Sequence, residues 1–155
     1  MRLDQIFKNE YLSENLSSNS KKDVLAELIN VLINSGLKID KARAIDVLQQ
    51  REKLGSTGIG DGVAIPHGKV SDLHELVVAF GRSKKGIAFD AIDGKPVHLF
   101  FLLLAPENST GQHLKALAKI SKMLKTPNFR KKLIEAKTKS DLYKAIVEQD
   151  ESCPV

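Results

Sequence analysis

The sequence has few of the features that mark secreted, membrane-spanning or disulfide-bonded proteins. It contains one cysteine, Cys153, so it can form neither an internal disulfide nor a thiolate metal cage. Its longest uninterrupted apolar run, Leu99–Ala105, is far shorter than the ~20 residues that span a bilayer. Residues 1–6 include an early acid and no apolar segment, unlike a secretory signal. We therefore expect a cytoplasmic protein with no membrane insertion.

Aromatic residues and familiar catalytic motifs are also scarce. Aromatics make up 5% of the chain and tryptophan is absent, which argues against the base-stacking surfaces of nucleic-acid-binding proteins. The four histidines lack the H-x₃-H and HExxH spacings of zinc sites, and the chain has no G-x-S-x-G serine elbow and no Walker A loop. We therefore predict that the protein uses no metal and no cofactor.

Length and hydrophobic patterning favour one α/β domain. The chain has 155 residues, of which 42% are hydrophobic and 28% charged, enough to bury a core without disulfides. Helical periodicity occurs on both sides of short apolar runs, so we predict a central mixed β-sheet flanked by helices. We place this domain over residues 1–150 and expect 151–155 to form a flexible C-terminal tail.

Capping residues and turns divide the chain into predicted elements. Ser20 and Asp40 are expected to cap two helices, the second of which contains Arg51, and a glycine-rich loop is expected over Leu54–Gly62. The other predicted elements are strands at Leu76–Phe80 and Val97–Ala105, the second at the sheet centre, and helices from Ser109 or Thr110 to about Lys125, from Pro127 to Ala136, and from a Ser140 cap to about Gln149.

The net charge of +5 is unevenly distributed. The region Lys115–Lys144 holds ten lysines or arginines against two acids, whereas the rest of the chain holds fourteen bases and seventeen acids. The basic region is compatible with an acidic partner, a phosphate-bearing partner such as nucleic acid, or a plain solvated surface. Helical spacing predicts that Lys115, Lys119 and Lys122 form one solvent-exposed stripe.

The strongest candidate for chemistry is a histidine in the segment Gly60–Gly68. His67 lies between a proline and a glycine, just after a short extended piece and a glycine-rich loop. Pro66 restricts the backbone on one side, and the glycines leave room for an anion to approach the loop N–H groups. This arrangement suits a histidine that is accessible and held in one orientation.

A second candidate, His113, falls in the first turn of the predicted helix that begins near Ser109. Helical spacing places it on the apolar, inward face, which is typical of a buried core histidine. Its position at a helix N-terminus also favours contact with an anion, so both interpretations stay open. We expect His74 at the surface, and His98 in an apolar strand with a hydrogen-bond partner.

The residues around His67 resemble a known signature. Glu52, Ile59-Gly60 and the segment Val63–Gly68 stand at the spacing found in the fructose- and mannitol-type enzyme IIA domains of the bacterial phosphotransferase system. The likeness extends over nearly the whole chain. The segments Asp93–Val97 and Phe101–Glu107 are most similar to the nitrogen-regulatory branch of that family.

The resemblance implies a phosphocarrier with the family's mixed sheet and flanking helices. His67 matches the histidine that takes a phosphoryl group from the phosphohistidine of an HPr-type protein. His113 matches the second active-site histidine and Arg51 the family's arginine. A neutral imidazole is a good nucleophile near pH 7, and phosphoryl transfer mainly requires positioning and charge stabilisation. Further phosphate-binding candidates are Ser56, Thr57 and Gly68.

Two related functions stay open at this point. A nitrogen-regulatory protein would change its docking to regulatory targets, such as transporters or sensor kinases, when His67 is phosphorylated. The alternative is an enzyme IIA component that passes the phosphoryl group to a fructose- or mannitol-type sugar permease domain. The two differ in whether the group moves on to a sugar-transport domain. A nucleic-acid partner is not expected under either.

Overall fold

The longest apolar run of the sequence forms the central strand of the sheet. In the computed structural model, which describes residues 2–153, strand β6 (Val97–Ala105) is buried along nearly its whole length. Its leucines and phenylalanines contact layers on both faces, as a continuous apolar strand requires. The predicted bounds of this strand and its central position are confirmed.

Five helices and five further strands surround β6 within residues 2–153. The helices are α1 (Lys21–Asn34), α2 (Lys41–Lys53), α3 (Thr110–Leu124), α4 (Pro127–Glu135) and α5 (Lys139–Glu151), and the strands are β1 (Leu12–Ser13), β2 (Gly58–Gly60), β3 (Val63–Ala64), β4 (His67–Lys69) and β5 (Val77–Ile87). Short 3₁₀ turns at Leu3–Gln5 and Asn9–Tyr11 precede them. The predicted α/β class with a mixed sheet is confirmed.

The sheet is mixed because β6 has an antiparallel neighbour on one side and parallel neighbours on the other. β5 pairs with β6 antiparallel, and β1 lies parallel to β5 on the outer edge. On the other side, β3 runs parallel to the start of β6 and β4 runs parallel to its end, with β2 antiparallel to β3. Residues 63–69 thus follow β6 along one side and bring His67 opposite Leu103.

Helix starts follow the predicted caps with one exception. The side chains of Ser20 and Asp40 accept hydrogen bonds from backbone N–H groups in the first turns of α1 and α2. The last helix is capped by Thr138, whose hydroxyl accepts from the N–H of Asp141 at 3.0 Å. The predicted Ser140 cap is therefore wrong, because Ser140 already lies inside α5.

Two predictions about the strands also need correction. The predicted loop over Leu54–Gly62 contains β2, where Gly58 comes so close to Ala91 that an added Cβ would lie 2.9 Å from its Cα. The strand predicted to end at Phe80 continues to Ile87, through polar residues that hide the strand pattern. Arg82 and Ile87 pair with Leu99 and Val97 of β6 on either side of an irregularity in the register, so the strand continues although this part of its sequence is not apolar.

Arg82, in the polar half of β5, is a buried arginine that the sequence analysis did not anticipate. Its side chain is 2% exposed, and its Nε donates to the carbonyl of Glu14 at 3.1 Å. Its Nη1 donates to the carbonyls of Leu133 and Ala136 at 2.9 and 2.5 Å. These two carbonyls lie at the C-terminal end of α4, where the helix dipole favours a cation. Arg82 therefore joins the chain before α1 to the end of α4.

Lys119 corrects the predicted lysine stripe on α3. Lys115 and Lys122 are exposed, but Lys119 is buried and its Nζ lies 2.5 Å from Oδ1 of Asp150 in α5. The other oxygen of Asp150 accepts from the N–H of Leu3 at 2.8 Å. α3 packs on both β6 and α5, so its buried arc is wider than one apolar stripe and includes Lys119.

The end of the chain lies closer to the core than its sequence indicates. Glu151, the first residue of the predicted tail, is the last residue of α5, and Cys153 is buried. The rest of that predicted tail, residues 154 and 155, lies outside the described residues. No helix within residues 2–153 has the length and apolar character needed to cross a membrane.

We expect Asp150→Ala to lower the free energy of unfolding by about 3–5 kcal/mol, because it removes the carboxylate paired with buried Lys119. Urea denaturation of both proteins measures the difference. Lys122→Gln, an exposed neighbour on α3, should change the free energy by less than about 0.5 kcal/mol. Equal effects of the two substitutions would show that the Lys119–Asp150 pair does not support the fold.

Candidate active site

Strand β4 places His67 where three elements meet. His67 and Lys69 lie on one face of β4, and Gly68 lies on the other, against α2. A Cβ on Gly68 would lie 2.5 Å from Cγ1 of Val47, so a glycine is needed for α2 to pack this closely. This packing brings Arg51, near the end of α2, beside His67.

The hydrogen bonds of His67 define which of its nitrogens carries the proton and which has the lone pair. Its Nδ1 lies 2.8 Å from the carbonyl oxygen of Ile65, which can only accept, so Nδ1 carries the proton. Nε2 therefore has the lone pair, and Nε of Arg51 donates to it at 3.3 Å. Nη1 of Arg51 donates to the carbonyl of Gly55 at 2.8 Å, which holds the guanidinium in place.

His113 lies edge-on to His67 at the start of α3. The two ring centroids are 5.4 Å apart and the ring planes meet at 82°. His113 is 7% exposed, and its Nε2 is a buried polar atom without a hydrogen-bond partner among residues 2–153. Such an atom is costly unless another group satisfies it. The structure thus brings His67, His113 and Arg51, three of the candidate site residues, together.

Both imidazoles are held in their neutral form. Burial lowers the pKa of His67, and the Arg51 guanidinium lowers it further, while the hydrogen bond to Ile65 and the carboxylate of Glu52 act in the opposite direction. Burial also lowers the pKa of His113, with smaller contributions from His67 and Lys69. A site that keeps its histidines uncharged near pH 7 keeps the nucleophilic lone pair of Nε2 available.

Lys69 adds a second cation that the sequence analysis missed. Its Nζ donates to Oγ1 of Thr110 at 2.6 Å, at the first residue of α3. The signal was present in the sequence, because a residue two positions after His67 in an extended segment shares its face of the strand. Arg51 thus lies beside His67, and the charge of Lys69 is close enough to His113 to lower its pKa.

Glu52 organises the loop that follows α2, and its role was also missed. Its buried carboxylate accepts from the N–H of Thr57 at 3.0 Å and from the Thr57 hydroxyl. Nζ of Lys21 lies 3.1 Å from the same carboxylate. These contacts hold residues 54–57, and with them the Gly55 carbonyl that receives Arg51.

The three phosphate-binding candidates have contacts with the scaffold. Thr57 is buried and its hydroxyl donates to Glu52, while the hydroxyl of Ser56 donates to the carbonyl of Phe89 at 2.8 Å. Gly68 provides the close packing on α2. That Ser56, Thr57 and Gly68 bind phosphate stays a prediction.

The remaining histidines lie outside this cluster. His74 is exposed, as predicted. Nδ1 of His98 lies 2.9 Å from the carbonyl of Ser83 in β5, in agreement with the predicted hydrogen-bond partner. In the described part of the chain, no group of three or more histidine, cysteine or acidic side chains is arranged to hold a metal ion.

Comparison with known proteins identifies the family. The model of the family described as "Phosphoenolpyruvate-dependent sugar phosphotransferase system, EIIA 2" matches residues 5–149. The chain belongs to this EIIA family. The resemblance inferred from the residues around His67 is therefore confirmed, and the chain is a component of the phosphotransferase system.

Relatives in this EIIA family carry two kinds of name. The chain is 43% identical to a nitrogen regulatory protein of Bradyrhizobium diazoefficiens over 131 residues, covering 84% of this chain and 85% of that protein. It is 34% identical over 150 residues, 97% of its length, to the fructose-specific EIIABC component of Bacillus subtilis, of which it spans 24%. The crystal structure of nitrogen regulatory protein IIA-Ntr from Neisseria meningitidis superimposes with a TM-score of 0.84 at 36% identity, covering 92% of this chain and 97% of that one.

We expect Arg51→Gln to raise the pKa of His67, because removing a nearby positive charge makes the imidazolium form less unfavourable. In the unsubstituted protein, both His67 and His113 should titrate below the ordinary histidine value of about 6.5. NMR pH titration of the imidazole C–H resonances measures both values. Lys131→Gln, an exposed substitution on α4, is the control. An unchanged His67 pKa in Arg51→Gln would contradict the contact.

Proposed function

We propose that this chain is a phosphocarrier of the nitrogen-regulatory branch and that it accepts a phosphoryl group on Nε2 of His67. The observation that carries the proposal is that Nε2 of His67, on a neutral and accessible imidazole, lies 3.3 Å from Nε of Arg51. The EIIA family membership supports the phosphocarrier role. The names of the Bradyrhizobium and Neisseria proteins support the branch.

The transfer requires no proton to move at the acceptor nitrogen. The Nε2 lone pair leaves its hydrogen bond with Arg51 and attacks phosphorus in line. The P–N bond of the donor phosphohistidine breaks and its electron pair returns to the donor ring, which carries a proton on its other nitrogen and so departs as a neutral imidazole. Nδ1–H of His67 keeps its hydrogen bond to Ile65 throughout, so the ring holds one orientation. A phosphohistidine is both reactant and product, which makes the exchange nearly balanced in energy and allows the group to move on.

The surrounding side chains are suited to the charge on the phosphoryl oxygens. Arg51, beside Nε2, gives a guanidinium whose planar fork matches two oxygens. The unpartnered Nε2 of His113 gives a further polar contact, and Lys69 gives a cation at the start of α3. Positioning these groups before the reaction is the main contribution that a protein makes to phosphoryl transfer.

We further propose that the donor is an HPr-type protein that docks over His67 in the cytoplasm. A folded donor must reach an accessible nitrogen, and His67 is only partly buried. Leu114, the residue after His113, is 61% exposed, and Leu54, in the loop next to Gly55, is 84% exposed. Exposed apolar side chains of this size around a reactive group are typical of a docking surface for another protein.

Incubation with phosphoenolpyruvate, enzyme I and an HPr-type donor should give one acid-labile, alkali-stable phosphate per chain, and His67→Ala should abolish it. His98→Ala, which removes a histidine that contacts Ser83 in another part of the sheet, is the matched control and should be labelled normally. Mass spectrometry at alkaline pH locates the group. Label that persists in His67→Ala, or that appears on serine, would refute His67 as the acceptor.

We expect His113→Ala to accept the phosphoryl group on His67 still, but about 10²–10³-fold more slowly, the usual effect of losing one preorganised contact to developing charge. His113→Gln, which keeps a polar group of similar reach, should recover part of the rate. Quenched-flow transfer from phosphorylated donor at fixed pH measures each variant. A wild-type rate in His113→Ala would leave His113 with a purely structural role in the core.

The sugar-uptake alternative has one specific observation in its favour. The relative from Bacillus, whose name describes a fructose-specific EIIABC component, is matched over 97% of this chain. The two functions differ in the next acceptor. Phosphorylated chain mixed with a purified fructose-type enzyme IIB domain should keep its phosphate if the role is regulatory. Rapid transfer to that domain would establish the uptake role in its place.

A further inference from the structure

A cleft lies between the beginning of α1 and the end of α2, and Glu52 is part of its lining. Its volume is about 450 Å³, which is enough for a small metabolite. Its lining combines three lysines, two acids, an amide and one buried apolar side chain: Lys21, Lys22, Leu25, Gln49, Glu52, Lys53 and Asp90.

The charges in this cleft are unbalanced in favour of the cations. Lys21 has two carboxylates within reach, Glu52 at 3.1 Å and Asp90 at 3.7 Å. Lys22 and Lys53, two exposed lysines of the lining, have no carboxylate within 4.0 Å among residues 2–153 and so have no ion-pair partner there. Glu52, the buried acid of the lining, is already neutralised by Lys21 and by two donors from Thr57.

The position of Lys22 in α1 adds to the excess of positive charge at this cleft. Lys22 lies in the first turn of α1, where the helix dipole is positive and side chains of negative charge are preferred. An anion bound beside Lys22 would offset this unfavourable interaction with the helix dipole. The cleft therefore combines a concave shape, unpaired cations and a local field that all favour a negatively charged occupant.

We infer that this cleft binds a small anionic molecule through its carboxylate or phosphate groups. Lys22 and Lys53 pair with the anionic groups, the amide of Gln49 adds a hydrogen bond, and Leu25 contacts the apolar part of the molecule. Binding is independent of phosphotransfer, but its consequence for His67 rests on the proposed function.

Occupancy of the cleft is communicated to the phosphorylation site through Lys21. An anion in the cleft competes with Glu52 for the Lys21 ammonium, 3.1 Å away. Glu52 holds Thr57 and the loop whose Gly55 carbonyl orients Arg51, and Arg51 donates to the nitrogen of His67. A ligand in the cleft thus changes the rate at which His67 is phosphorylated without touching His67.

The test is an NMR titration of the ¹⁵N-labelled full chain with inorganic phosphate and, separately, with succinate, at constant ionic strength. We expect saturable shifts of the backbone amides at residues 21–25 and 49–53. The double variant Lys22→Glu/Lys53→Glu should weaken this binding at least tenfold. Lys131→Glu/Lys132→Glu, which reverses two exposed lysines on α4, should bind within twofold of wild type. The stronger of the two probes identifies phosphate or carboxylate as the preferred group.

Several results would overturn the inference. These are shifts that equal amounts of sodium chloride reproduce, shifts around His67 and Arg51 with none at residues 21–25, or equal weakening in both double variants. Phosphorylation by an HPr-type donor is then measured with and without the better probe. A probe-dependent rate that disappears in Lys22→Glu/Lys53→Glu supports the link to His67, and an unchanged rate with binding intact disproves it. If wild type accepts no phosphate at all, the proposed function fails while the binding result stands.

Discussion

The close packing of β4 against α2 is the contact on which the rest of the site depends. Gly68 allows it, because any side chain there would meet Val47. The contact aligns two residues that are 16 positions apart, so that the guanidinium of Arg51 meets Nε2 of His67. Pairing of β4 with the end of β6 fixes the same strand from the other side. The pairing of β4 and the hydrogen bond to the Ile65 carbonyl thus orient the imidazole in advance, which reduces the side-chain entropy lost on binding.

The electrostatics of the site place the positive charge beside the histidines and leave the histidines themselves neutral. Burial and the neighbouring cations disfavour the imidazolium form, so Nε2 stays a nucleophile. The same cations are unpaired with carboxylates in the described structure, since Arg51 and Lys69 donate to neutral groups. In the proposed function, an incoming phosphoryl group therefore meets cations that need not first leave an ion pair.

Much of the site was predictable, because its main residues stand in strong local patterns. The sequence around His67 predicted an extended segment held by Pro66, and the helical spacing predicted an inward-facing His113. Tertiary contacts explain what was missed. Lys119 reads as a surface lysine in any helical pattern, and only the packing of α5 across α3 buries it. Arg82 ends an apolar pattern, yet carbonyls from segments more than 50 positions away satisfy its guanidinium. Local periodicity contains no information about such distant partners.

The hydrogen bond between the Leu3 N–H and Asp150 means that the polypeptide enters and leaves the fold at one place. A unit with this property can be inserted into a longer polypeptide, or joined to another unit at either end, without stretching its own core. The match of nearly the whole chain to about a quarter of the Bacillus protein shows a unit of the same family within a longer chain. Because residues 3 and 150 lie side by side, the fold can serve as a unit of a longer protein, which its mixed sheet alone would not indicate.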